Sequence, residues 1–327
     1  MGIFLSIFLG FVPMFLYASL VTWLDRYEKE PRRLLRNVFL WGAVFAAGGA
    51  FIINTFTGIT LYSLTGSETA ANFTSTAIIA PLVEETLKGL AVLFVFFFIR
   101  KEFDSVLDGI IYAAITALGF AATENAYYIY TYGYQSNGIS GIFEMTFIRA
   151  IVVGWQHPFY TSFIGIGLAI ARGAKGGILK FLAPSLGWCI AVFTHSFHNA
   201  LAISTNGLLC VFGTFLDWSG WLAMLLFIAY MIYRERRLMV EQLAGEIQLG
   251  TLTPEQYQVA CSPLRQTRTR LQTWRSGNRK GVDQFFALCG ELAYKKHQYQ
   301  ALGDEQDNLA TIDQLRLQIS ALSPSIH

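Results

Sequence analysis

Apolar residues run through the first 233 positions in long stretches separated by short polar breaks. The hydrocarbon core of a bilayer takes roughly 20 helical residues to cross. Stretches of that length fall near 3–24, 34–56, 75–99, 105–131, 144–171, 178–203 and 210–233. The pattern predicts an all-α fold: a polytopic membrane helix bundle of about seven transmembrane helices with a small helical cytoplasmic tail. The boundaries expected are 1–237 for the transmembrane part and 238–327 for the tail. In the tail, Thr253-Pro254 reads as an N-cap followed by Pro at the first helical position. Leu309, Ile312, Leu315, Ile319 and Leu322 recur there at helical spacing.

The breaks sort by charge. Lys and Arg gather in 25–33, 100–101, 172–180 and 234–237, whereas 57–74, 132–143 and 204–209 contain none. Basic loops stay in the cytoplasm, so the alternation predicts an integral protein of the plasma (inner) membrane with its N-terminus outside and its tail inside. Six or eight spans would break the alternation. Residues 2–24 are too long for a signal-peptide core and no clear cleavage site follows them. The composition agrees, with 54% hydrophobic and 14% charged residues. The net charge of +2 does not point to nucleic acid as a partner. The basic stretch Arg265, Arg268, Arg270, Arg275, Arg279 and Lys280 suits either anionic lipid or a solvated helix face. Cys189, Cys210, Cys261 and Cys289 show no metal-like spacing and read as small apolar fillers.

Within the spans the polar residues are few. Glu84, Glu85 and Lys88 lie in the third, Asp108, Glu124 and Asn125 in the fourth, Glu144, Arg149 and His157 in the fifth, and His195, His198 and Asn199 in the sixth. One charged side chain at a bilayer centre costs about 2.5–3.5 kcal/mol on insertion scales, so such residues mark function. Lys88 follows Glu84 by one turn and can neutralise it, while Glu85 points about 100° away. Arg149 is placed to neutralise Glu144 or Glu124, and Asp108, near a helix start, reads as a capping or solvated group. Glu84, Glu124, His157 and His195 come to similar depths, at the midplane or in the outer leaflet. Their convergence predicts a polar pocket opening outward. Such a pocket suits hydrolysis, with a glutamate activating water, or a proton-coupled transporter or receptor. A non-catalytic scaffold held by paired polar groups is the third reading.

The same residues carry a family resemblance. Glu84-Glu85-Thr-Leu-Lys88 resembles the EExxK motif of the PrsW family of intramembrane proteases, and Phe120 to Glu124-Asn125 resembles its FxxxE motif. Arg149 to Thr161 and His195-Ser-Phe-His198-Asn199 resemble the third and fourth blocks, in order over residues 5–235. The family is related to the CAAX prenyl protease and bacteriocin-processing group. The resemblance implies a peptidase that cuts a membrane-bound protein, as the family's namesake cuts an anti-sigma factor on the extracytoplasmic side in signal transduction. The catalytic residues it implies are Glu84, Glu85, Glu124, His157, His195 and Asn199. Two chemistries stay open. In one, Glu84 activates water and His195 with Asn199 holds the oxyanion without a metal. In the other, zinc sits on Glu124, His157 and His195.

Overall fold

The computed structural model describes residues 1–27, 29–174, 176–203, 207–276, 279–304 and 307–323. The side chains of Cys210 and Arg275 lie outside the described ones. Every regular element among the described residues is a helix. Two compact units divide the chain, residues 1–23 with 30–227, and residues 24–29 with 228–327.

Numbered in chain order, α1 is Gly2–Leu24 and α2 is the continuous run Arg32–Thr65. The third helix, α3, joins Glu68–Thr74 to Ala80–Phe98 through a π-helical turn at Ser75–Ile79. Next come α4 at Val106–Tyr128 and α5 at Gln135–Thr146, then α6 at Gln156–Gly173, α7 at Leu179–Ile203 and α8 at Gly207–Gln248. Five stretches of the described residues are long and apolar enough to cross a membrane: Gly2–Leu24, Arg32–Thr65, Val106–Gly173, which is interrupted at Gly138 and at 153–155, Leu179–Ile203 and Val211–Gln248. The chain is an integral membrane protein. Its outer helices bury little. The buried positions Gly2, Ser6, Gly10 and Met14 of α1 repeat every four residues, a single stripe, while Phe4, Phe8, Phe15 and Leu16 stay exposed. A lipid solvent leaves such side chains at no cost.

At the centre of the first unit stands α4, buried at every position from Leu107 to Ala122. Without water to drive apolar faces together, membrane helices pack by letting backbones approach through small residues. A Cβ added at Gly165 of α6 would sit 1.9 Å from the Gly109 carbonyl oxygen of α4, and one at Gly119 would sit 2.0 Å from the Phe39 oxygen of α2. The start of α4 is fixed by a capping box: Ser105 Oγ accepts from the Asp108 N–H, and Asp108 Oδ2 accepts from the Ser105 N–H at 2.7 Å. Asp108 is thus a cap, as its position near the helix start predicts.

The fifth apolar stretch departs from a single helix. The chain folds back at Gly138, whose φ of 60° suits glycine, and the helix after it ends in a wide turn at Phe147–Val152. Residues 153–155 are non-helical before α6 begins. Tyr17 packs against the break. Its hydroxyl donates to the Ala150 carbonyl at 2.8 Å, and its ring stacks on Trp155 with centroids 4.4 Å apart.

The second unit is a helical domain around Met239, Leu243, Phe285, Phe286, Leu292, Ile312, Leu315 and Ile319. Its helices are the end of α8, then α9 (Pro254–Ala260), α10 (Pro263–Ser276), α11 (Arg279–Leu302) and α12 (Asn308–Leu322). Thr253 caps α9 with Gln256 in a capping box. Cys261 and Cys289 are buried free thiols in this core, and burial pushes the Cys261 thiol up to about 11. Glu246, fully buried, accepts from Lys296 at 2.6 Å and from Arg316 at 3.0 Å.

Candidate active site

Helix α3 places the paired glutamates, and proline shapes its entry. Pro81 has no N–H to give the ladder. The Ala80 N–H bonds back to the Ser75 oxygen, so the turn widens by one residue. In that geometry the Thr76 carbonyl would be paired with residue 81, which has no proton to donate. Asn199 of α7 supplies one instead, with Nδ2 2.9 Å from the Thr76 oxygen. The kink and the asparagine therefore hold α3 and α7 in register at the site.

The two glutamates have different surroundings. Glu85 is fully buried, and both of its oxygens are engaged. Oε1 accepts from Lys88 Nζ at 2.6 Å and from His195 Nδ1 at 2.9 Å, while Oε2 accepts from Thr161 Oγ1 at 2.7 Å. Glu84 has one weak bond, from Asn54 Nδ2 to Oε1 at 3.5 Å. Its Oε2 has no hydrogen-bond partner among the described residues. That oxygen lies 3.8 Å from Lys88 Nζ and 3.9 Å from His195 Nε2. Lys88 therefore pairs most closely with Glu85 at i,i+3, not with Glu84 at i,i+4.

Around this pair the other groups form a chain. Lys88 Nζ contacts His157 Nδ1 at 3.1 Å and lies 4.3 Å from the centre of the Phe120 ring. His157 Nε2 is 2.8 Å from Glu124 Oε2, which also accepts from Arg149. Arg149 Nε donates to Asn125 Oδ1 at 3.0 Å, and its guanidinium covers the Tyr128 ring. The carboxylate that Arg149 neutralises is thus Glu124. His195 is held by Glu85 on one edge and by the stacked Tyr160 ring, 4.9 Å away.

A cavity of about 800 Å³ opens over this cluster. Glu84, Glu124, His157, His195, Asn199 and Asn54 line it, and Glu85 and Lys88 do not. The six residues anticipated from sequence are therefore brought together, with Glu85 behind the wall. Sequence reasoning missed Asp217 in α8. Its carboxylate accepts from Gln156 Nε2 at 2.7 Å and from the Tyr160 hydroxyl at 3.3 Å, and lies 2.7 Å from His198 Nδ1. A lone acid in the seventh apolar stretch is the same energetic anomaly that flags Glu84.

Residues 30–233 match the PrsW family intramembrane metalloproteases. The chain belongs to the PrsW family. It is 28% identical to Protease PrsW of Geobacillus kaustophilus over 180 residues, 55% of this chain and 72% of that protein. To Protease PrsW of Oceanobacillus iheyensis it is 36% identical over 110 residues, 32% of this chain and 46% of that one. The Bacillus subtilis Protease PrsW is 28% identical over 163 residues, 50% of this chain and 67% of the relative. No solved structure matches the chain.

The family's description implies a metal. Ligand atoms of Glu84, His157 and His195 lie within 4.8 Å of one another, and two imidazoles with a carboxylate are a donor set suited to catalytic zinc. Glu84 Oε2 is unpartnered, and Glu85 at Nδ1 leaves His195 Nε2 as a lone pair. Glu124 is turned to Arg149 and His157 instead. His157 is engaged at both nitrogens, by Lys88 and by Glu124. As hydrogen-bonded here, His157 has no free lone pair, so a metal on this set would have to displace Lys88 from Nδ1 or Glu124 from Nε2.

Proposed function

We propose that the chain is an intramembrane endopeptidase in which Glu84 activates water. The observation that carries this reading is the contrast between the glutamates. Glu84 lines the cavity and its carboxylate makes only one weak hydrogen bond, and Glu85 is saturated behind it. A general base must be able to reach the proton it takes, and only Glu84 of the two meets that condition.

In the reaction proposed, water gives a proton to Glu84 as its oxygen adds to the scissile carbonyl carbon. The proton is then returned to the leaving nitrogen as the C–N bond breaks, yielding a carboxylic acid and an amine. Glu85 accepts the Nδ1 proton of His195, so in the neutral ring Nε2 carries the lone pair and accepts a hydrogen bond from the water's second O–H, orienting it. The oxyanion falls to Asn199, whose amide has a second N–H beyond the one given to Thr76. In this scheme the neutral His195 orients the water and does not donate to the oxyanion. Glu85, Lys88, His157 and Glu124 hold these groups in place.

The substrate class proposed is a membrane-bound protein, such as an anti-sigma factor, cut near the outer leaflet. The proposed topology puts the N-terminus outside and residues 238–327 in the cytoplasm, in the plasma membrane. The loop charges support this orientation. The test compares membrane proteomes of a deletion strain and one carrying Glu84→Ala. A membrane protein that stays uncleaved in both identifies the substrate. Normal processing of every membrane protein in the Glu84→Ala strain would refute the reading.

A further inference from the structure

The contacts of His157 bear on more than hydrolysis. An ammonium has donors and no lone pair, so in the 3.1 Å contact Lys88 donates and Nδ1 accepts. Nε2 then carries the ring proton and donates it to Glu124 at 2.8 Å. This tautomer satisfies both neighbours. A neutral imidazole that binds a metal must offer one lone pair and keep its proton on the other nitrogen. Ligation through Nδ1 would put the ion where Lys88 donates. Ligation through Nε2 would move the proton to Nδ1, facing an ammonium 3.1 Å away. By either route Nζ has to leave.

The lysine has the surroundings of a bound cation. It is fully buried. Glu85 Oε1 lies at 2.6 Å, Glu84 Oε2 at 3.8 Å, and the face of Phe120 at 4.3 Å from Nζ. Two of its neighbours, Glu84 and His157, belong to the set of three that gathers ligand atoms within 4.8 Å. A divalent ion placed on that set would meet a third positive charge at close range in a medium that screens it poorly.

We propose that the Lys88 ammonium occupies the cation position of this site, so that Glu84, His157 and His195 bind a divalent ion only when Lys88 is displaced. The proposal does not rest on the hydrolytic reading, since it concerns binding alone. It gives the lysine of the Glu84-Glu85-Thr-Leu-Lys88 block a task that a simple counter-ion lacks, which is to set whether the pocket is metal-free or metal-loaded.

The test is metal binding by the full-length protein, purified in detergent and stripped with chelator. Co²⁺ is titrated and followed by its visible absorption, and bound Zn²⁺ is counted by mass spectrometry. Lys88→Met should bind one equivalent about tenfold or more tighter than the wild type, a change of about 1.4 kcal/mol. Adding His157→Ala to Lys88→Met should remove that gain. The proposal is overturned if Lys88→Met binds no more tightly than the wild type, or if the gain survives His157→Ala. Should Lys88→Met not fold, Phe120→Leu removes the aromatic face beneath Nζ with all three ligands intact. It should show a smaller gain, and wild-type affinity in that variant would equally overturn the proposal.

Discussion

Replacing each of the paired glutamates by glutamine should separate stability from activity. Glu85→Gln keeps the shape of the side chain and removes the charge that holds Lys88. The amide cannot accept from Lys88, His195 and Thr161 as the carboxylate does. Hydrogen bonds to a charged group contribute about 1.5–3 kcal/mol each. Breaking a buried pair while its partner stays charged costs about 3–5 kcal/mol, and that range is expected here. Glu84→Gln has less to lose, since Glu84 makes one 3.5 Å hydrogen bond and its second oxygen lies 3.8 Å from Lys88 Nζ without a hydrogen bond. Its stability should fall by less than that of Glu85→Gln, by about 1 kcal/mol, the centre of the range for single substitutions. Denaturant titration in detergent micelles measures the difference. Both variants should fail to cleave, but only Glu85→Gln should unfold early. Equal stability of the two, or an earlier transition for Glu84→Gln, would refute the assignment of roles.

Three further outcomes follow from other parts of the structure. Gly165→Leu drives a side chain into the Gly109 carbonyl and should cost at least about 1–3 kcal/mol, the usual overpacking range, read as loss of folded protein in detergent. Asn199→Ala should lower the cleavage rate by about 10²–10³, the range for an oxyanion donor, with substrate affinity nearly unchanged in a kinetic assay. In the second unit, burial raises the Cys261 thiol to about 11, so the neutral thiol prevails at pH 8 and the reactive thiolate grows only as pH rises toward that value. Iodoacetamide should leave Cys261 unmodified in native protein at pH 8 and label it after denaturation; labelling of Cys261 in the native state would contradict its burial.

The helices were legible because apolar stretches of membrane length leave few alternatives, and α1 and α7 fall close to the stretches expected for them. The break at 153–155 was not, because the contacts made across it come from Tyr17, far away in sequence. Residue types pointed to Glu84, Glu124, His157 and His195 as one pocket, and their side chains do line one cavity. Lys88 reaches Glu84 at 3.8 Å as the spacing predicts, but its nearer partner is Glu85 at 2.6 Å. Helical spacing allows both i,i+3 and i,i+4, and the choice of Glu85 depends on Thr161 and His195 also converging on that carboxylate. Asn199 reaches Thr76 only because Pro81 widens the turn before it. A regular helical projection of α3 has no place for that carbonyl.

Chemical rescue tests the central claim most directly, because it asks which glutamate borders open space. Glu84→Ala removes a carboxylate that lines the cavity, and Glu85→Ala removes one that does not. With the substrate identified in the deletion strain, purified Glu84→Ala should regain cleavage when formate is added, since the anion can enter and replace the missing base. Glu85→Ala should not respond. Rescue of Glu85→Ala alone, or of neither variant while both remain folded, would contradict the account.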